Sequence, residues 1–126
     1  MIGDNYPEPW RSAPLDAYLD TWRYYSRECT SFVAWRLHST NGYEMPHAIG
    51  NAGVWGSWFS ARGVRVDNTP ARGAIAESFG HVAWVAVVNG NGTITIEEYN
   101  SPAGSGRYGV RTVPASSYHY IHVKDL

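Results

Sequence analysis

A glycine-rich turn between two strand-like segments constrains the fold of this chain more than any other feature. Asn89-Gly90-Asn91-Gly92 joins the segment HVAWVAVV to TITIEEYN, and Asn-Gly pairs favour the tight turns of β-hairpins. The flanking segments are rich in valine, isoleucine and threonine, the residues typical of strands. The sequence therefore predicts an antiparallel hairpin in which His81–Val88 pairs with Thr93–Tyr99.

The segments before the hairpin predict helices. Leu15, Tyr18, Leu19 and Trp22 fall on one face of a helix from Pro14 to about Tyr25. A second helix is predicted from Glu28 to about His38, ended by Asn41-Gly42, and a short one over Val54–Ala61. Further strands are expected at Val64–Val66, Ala74–Ala76, Tyr108–Val113 and Tyr118–Val123. Helices followed by antiparallel strands predict an α+β domain with a sheet of about five or six short strands.

The length and composition fit one compact domain. The chain has 126 residues, of which 44% are hydrophobic, so residues 14–126 can form a single core after an irregular, proline-rich arm over 1–13. A net charge of −1 with no basic run argues against nucleic-acid binding. No apolar stretch approaches the roughly 20 residues that cross a bilayer, and the amino end lacks the pattern of a signal peptide.

Strand alternation brings three polar residues of the hairpin to one face. With any even-length loop, His81 shares a face with Glu98 and Asn100. A turn at Asn89-Gly90 places His81 opposite Glu98, whereas a loop over Asn89–Gly92 places it opposite Asn100. Either neighbour lies within hydrogen-bond reach of the imidazole, and an acceptor beside a histidine is what a general base requires.

The same alternation separates two adjacent acids. Glu98 shares the face of the isoleucines in its strand, so we expect it to turn inward beside His81. Glu97 shares the face of the threonines, so we expect it to be solvated. Glu98 is therefore the predicted partner of the histidine.

Cys29, the only cysteine of the chain, lies at the start of the second predicted helix. A helix N-terminus favours a thiolate, and the N–H groups of its first turn are free to bind an oxyanion. Taken singly, Cys29 could be core filler, His81 a structural histidine and Glu98 a strand-end charge. Their combination favours a nucleophile with a base and an orienting acid.

Four segments carry a resemblance to a known family: RECTSFVAWRL, GNAGVWGSWFSARGVRVDNTP, PARGAIA, and GHVAWV followed by EEYN. From about residue 22 onward the chain resembles the CHAP family of cysteine, histidine-dependent amidohydrolases/peptidases. The resemblance implies a papain-like fold with Cys29 as nucleophile, His81 as base, Glu98 orienting the histidine and Asn100 assisting. Trp55 is a candidate for a substrate groove wall, with a core role equally open.

The chain departs from the family pattern at two places. Glu28 stands where many relatives carry glutamine before the cysteine, which could alter the oxyanion environment. The segment TWRYYSRE lacks the aspartate cluster that holds calcium in some members, so we expect no metal and no cofactor.

The resemblance implies a peptidoglycan hydrolase that cleaves stem-peptide or cross-bridge amide bonds, as an amidase or an endopeptidase, through a cysteine thioester. A non-catalytic cell-wall binding module and a cysteine peptidase acting on proteins are the alternatives. We expect bacterial peptidoglycan as the partner, with no nucleic acid and no membrane, and a monomeric protein. We expect the protein to act outside the cell, at the bacterial cell wall. It would arrive there by phage-type release, or the chain would be an excised domain of a secreted protein.

Overall fold

The computed structural model describes residues 1–126 and contains one antiparallel sheet with two short α-helices. The helices are α1 (Cys29–Arg36) and α2 (Trp55–Ser60). The strands are β1 (Val66–Asp67), β2 (Ile75–Ser78), β3 (His81–Asn89), β4 (Thr93–Tyr99), β5 (Tyr108–Pro114) and β6 (His119–Ile121). They lie in the order β1-β6-β2-β3-β4-β5. The predicted α+β class is confirmed, and all six predicted strands are present with ends shifted by at most two residues.

Two cores lie on opposite faces of this sheet. The larger one packs α1, through residues such as Phe32, against Trp84 of β3 and Tyr99 of β4. The smaller one, which includes Val85 and Ile96, is covered by residues near the β5–β6 connection. Because α1 lies across β3 and β4, its first residue is held at the end of the sheet where β3 begins and β4 ends.

The second predicted helix is present and longer than expected. α1 begins at Cys29 and continues through a π-helical turn over Leu37–Asn41. It ends at Gly42, whose φ of 70° lies in the left-handed region that favours glycine. The short helix predicted over Val54–Ala61 is also present as α2.

The helix predicted over Pro14–Tyr25 is wrong. This segment forms successive turns, and an isolated β-bridge joins Leu19 to Tyr25. The side chain of Asp20 accepts the backbone N–H groups of Trp22 and Tyr24, at 2.8 Å each. A short acidic side chain thus satisfies donors that a helix would have used.

The hairpin has an odd loop and a compensating bulge. Asn89 pairs with Thr93, so the loop contains three residues rather than the two or four expected from an even loop. Between Val85 and Val87 the register shifts by one residue, as in a β-bulge. The two offsets cancel, and Val85 pairs with Ile96. His81 and Glu98 consequently share a face as predicted, although Val87 leaves that face.

The amino-terminal residues contain no helix or strand but pack against the domain. Tyr6 is buried, and its hydroxyl lies 2.5 Å from that of Ser31 in α1. The boundary between an arm over 1–13 and a domain over 14–126 stays a prediction.

None of the helices in this fold has the length and apolar composition needed to cross a membrane.

Candidate active site

Cys29 occupies the first position of α1. The preceding residue, Glu28, has extended backbone angles and caps the helix without a side-chain hydrogen bond. The Cys29 thiol therefore lies at the positive end of the helix dipole. The backbone N–H of Cys29 has no hydrogen-bond acceptor within the helix, because the helix has no preceding turn. Cys29 is mostly buried but lines a cleft open to solvent.

His81 joins the cysteine to a buried carboxylate. Its Nε2 lies 2.7 Å from Oε1 of Glu98, and the Cys29 thiol is near enough to the imidazole to affect its protonation. Burial lowers the pKa of His81, but the hydrogen bonds and negative charges of Cys29 and Glu98 outweigh burial and raise the pKa to about 9. The imidazolium form is therefore strongly stabilised between these two groups.

Arg111 on β5 fixes the carboxylate, and sequence reasoning missed it. Its Nε donates to Oε2 of Glu98 at 2.5 Å and its Nη2 donates to Oε1 at 3.0 Å. The second nitrogen also donates to the hydroxyl of Tyr118 at 3.2 Å. Burial raises the pKa of Glu98, but His81 and Arg111 outweigh it and hold the pKa below its usual value. Nothing in the sequence gives the register of β5 against β4, which brings Arg111 to this position.

Asn100 lies near the site but does not contact the histidine. Its Nδ2 donates to Oε1 of Glu28 at 2.7 Å, and its Oδ1 accepts the N–H groups of Gly104 and Gly106. No hydrogen bond joins it to His81. Asn100 thus holds Glu28 and the loop after β4, where its own φ of 62° is left-handed.

Glu28, the residue before the cysteine, has a second acid, Asp16, as a neighbour. Burial and the nearby carboxyl group of Asp16 raise the pKa of Glu28 to about 7, against the lowering effect of the Asn100 hydrogen bond. The side chain lines the same cleft as Cys29. The position that departs from the family pattern therefore carries a carboxyl group that titrates near neutral pH.

A cleft of about 550 Å³ opens beside Cys29. Its wall includes Tyr24, Tyr25, Glu28, Asn51 and Gly80. Trp55 does not line it: that side chain is fully buried in the larger core, and its Nε1 donates to the carbonyl of Gly50. The prediction of Trp55 as a groove wall is therefore wrong, and exposed Tyr25 takes that place.

Glu97 is buried, which contradicts its predicted solvation. Its exposure is 0%, and it forms an ion pair at 3.1 Å with Arg36 of α1, which is equally buried. Its carboxylate also accepts the Tyr108 hydroxyl and the backbone N–H groups of Ile2 and Gly3. The threonine face of β4 is open to solvent only near the hairpin turn, because α1 and the amino-terminal residues cover its other end.

Three of the four other histidines contact acidic side chains. His119 binds Glu77, and His122 binds Asp67 and Asp125. No group of three or more histidine, cysteine, aspartate or glutamate side chains is placed to hold a metal ion. The expectation of no metal site stays a prediction.

The arrangement unites a thiol at a helix N-terminus with an imidazole and a carboxylate that orients it. The histidine can take the thiol proton and later release it, while the carboxylate stabilises the imidazolium. The model of the CHAP domain matches residues 19–100, which contain Cys29, His81, Glu98 and Asn100. The chain belongs to the CHAP family.

Relatives of this CHAP chain include staphylococcal proteins. It is 40% identical over 106 residues to the secretory antigen SsaA of Staphylococcus epidermidis, and 37% identical over 106 residues to SsaA of Staphylococcus aureus. Each alignment covers 79% of this chain and 40% of the relative. The chain therefore spans well under half of the length of these relatives.

A solved structure shares the fold. The crystal structure of an N-acetylmuramoyl-L-alanine amidase from Staphylococcus aureus superposes with a TM-score of 0.72 at 28% sequence identity. The match covers 88% of this chain and 34% of the amidase. The chain therefore shares its fold with a domain-sized part of that longer protein.

Proposed function

We propose that this CHAP domain is a cysteine-dependent hydrolase of amide bonds in bacterial peptidoglycan. The observation that carries the proposal is the chain of contacts from Cys29 through His81 to Glu98 at the wall of an open cleft. A domain that only binds the cell wall has no need for a helix-terminal thiol beside an oriented histidine. A non-catalytic binding module is therefore the weaker alternative.

In the reactive form of the site, His81 already holds the proton of the Cys29 thiol, and Glu98 stabilises the imidazolium. The thiolate adds to the carbonyl carbon of the amide, and the backbone N–H of Cys29 donates to the oxyanion. His81 then gives its proton to the leaving amine as the C–N bond breaks, which leaves a thioester on Cys29. Water, deprotonated by His81, adds to the thioester and releases the carboxylic acid with the free thiol.

The substrate class is supported by the comparisons. The solved structural neighbour is an N-acetylmuramoyl-L-alanine amidase, and the relatives are named secretory antigens. We infer that the domain acts outside the cell on the stem peptide, either at the bond from muramic acid to L-alanine or at a peptide bond beyond it. The cleft beside Cys29, with its tyrosines, suits an extended, partly polar chain.

Incubation of the purified protein with peptidoglycans of different stem and cross-bridge composition tests this proposal. Mass spectrometry of the soluble products should show new amino and carboxyl termini at amide bonds. A new L-alanine amino terminus indicates the amidase, and a new terminus within the stem or bridge indicates the endopeptidase. Cleavage of an unfolded protein such as casein with no new termini in any peptidoglycan would favour the cysteine peptidase alternative and contradict the proposal.

The pH dependence of hydrolysis should report the raised pKa of His81. The leaving amine needs the proton of the imidazolium, so kcat/KM should fall as the pH rises through about 9. Glu98→Gln removes a negative charge that raises this pKa, so the alkaline limb should move to lower pH. Rate profiles of both proteins on one muropeptide measure the shift. An alkaline limb at the same pH in the Glu98→Gln protein would contradict the assignment of that limb to His81.

A further inference from the structure

A second cleft adjoins the site and has no role in the mechanism above. It has a volume of about 400 Å³ and is lined by residues that include Phe79, Gly80, Ser116, Ser117, Tyr118 and His119. Gly80 lines both clefts and immediately precedes His81. Tyr118 accepts a hydrogen bond from Arg111, which holds Glu98. The second cleft is therefore next to the proposed catalytic groups on two sides.

Phe79 is the most exposed large apolar side chain of the protein. Its relative exposure is 105%, so its ring touches almost nothing in the domain. It lies in the two-residue turn between β2 and β3, in which Ser78 pairs with His81 and Gly80 has a φ of 65°. The tight turn fixes the backbone at Phe79, and a large exposed aromatic ring beside a cleft indicates a contact surface for a ligand.

The polar groups of the second cleft favour an uncharged ligand. Its buried carboxylate, Glu77, accepts three N–H groups around the start of α2, from Gly53, Trp55 and Gly56, and pairs with His119. No bonding capacity of that carboxylate is left for a cationic ligand. The exposed hydroxyl groups of Ser116 and Ser117 remain as neutral donors and acceptors.

The geometry points to a saccharide subsite between Phe79 and Tyr118 that holds the glycan strand of the peptidoglycan. Aromatic faces pack on the apolar C–H face of a pyranose ring, while hydroxyl and imidazole groups hydrogen-bond to its substituents. The stem peptide carries free carboxylates and amines, whereas the N-acetylated sugars are neutral. The inference rests on the proposed function and adds that the glycan, as well as the peptide, is recognised.

The test compares one muropeptide with and without its sugar. β-Elimination of a muropeptide removes the sugar and leaves the lactoyl peptide, which retains the lactoyl–alanine amide and the whole stem. Phe79→Ala should raise KM for the sugar-bearing muropeptide by about tenfold with little change in kcat. It should leave the kinetics on the lactoyl peptide unchanged. Val88→Ala, an exposed apolar position at the other end of β3, is the matched control.

Equal effects of Phe79→Ala on both substrates, or no effect on either, would overturn the subsite. A wild-type protein that cleaves neither substrate would contradict the proposed function instead. In that case the subsite is tested by measuring the binding of N-acetylglucosamine oligomers to the Cys29→Ala protein. Binding that is weakened by adding Phe79→Ala, and not by adding Val88→Ala, supports the subsite. An absence of binding, or binding that Phe79→Ala leaves unchanged, refutes it.

Discussion

Replacing Cys29 by alanine is expected to abolish hydrolysis of peptidoglycan while leaving the protein folded. Loss of a nucleophile costs on the order of a million-fold in turnover, because no other group of the site can form the acyl intermediate. The thiol is small, so the free energy of unfolding should change by about 1 kcal/mol or less. Release of soluble fragments from peptidoglycan measures the first effect, and urea denaturation measures the second.

The control for this prediction is Ser60→Ala, an exposed position at the end of α2. It should retain the wild-type rate and stability. A Cys29→Ala protein that hydrolyses peptidoglycan at a rate near that of the wild type would contradict the assignment of Cys29 as nucleophile.

Changing each of the two adjacent acids of β4 to glutamine should have different effects. The Glu97 variant should mainly lose stability, and the Glu98 variant should mainly lose activity. Glu97→Gln leaves the buried Arg36 guanidinium, which is packed between the rings of Phe32 and Trp84, without a counterion. Loss of one partner of a buried ion pair costs about 3–5 kcal/mol. A domain of this size is stable by about 5–15 kcal/mol, so the urea midpoint should fall markedly.

Glu98→Gln should instead lower the rate by about a thousandfold or more, because the imidazolium loses its stabilising charge. Its stability loss should be smaller, since its other partner, Arg111, is 46% exposed and can be hydrated. Turnover and urea midpoints of both variants separate the two roles. A stable Glu97→Gln protein, or a Glu98→Gln protein with full activity, would show that the two acids have been assigned wrongly.

The prediction that His81 and Glu98 share a face is correct because two irregularities of the hairpin cancel. The three-residue loop and the shift at Val85–Val87 each displace the register by one residue, so together they restore the face on which His81 meets Glu98. Neither irregularity is apparent in the sequence. The prediction of the His81–Glu98 contact is confirmed, although the even loop from which it was derived is absent.

The sequence contains an indication that Glu97 is buried, but strand alternation alone does not include it. Arg36 lies on the apolar stripe of α1 with Phe32 and Val33, and all three are buried. A buried arginine needs an acid partner, and the neighbouring strand supplies Glu97. Alternation assigns a residue to a face, but which parts of a face are covered depends on where α1 packs.

The segment before Cys29 could not be predicted from periodicity. Tyr18 and Leu19 have the spacing of an apolar helix face but are about half exposed, while Asp20 organises the backbone as turns. The contacts of Arg111 and Asn100 likewise depend on loops that bring distant segments together. Local pattern therefore predicted the proposed catalytic groups on α1, β3 and β4. It named Asn100 without its observed contacts and missed Arg111.

A search for the acyl intermediate on Cys29 tests the central claim most directly. The wild-type protein is mixed with a soluble muropeptide and quenched in acid, in which thioesters persist, and its peptides are analysed by mass spectrometry. The peptide that contains Cys29 should carry the mass of the acyl fragment, and alkylation of Cys29 with iodoacetamide beforehand should remove both the adduct and the hydrolysis. Continued hydrolysis by the alkylated protein, with Cys29 never acylated, would contradict the account.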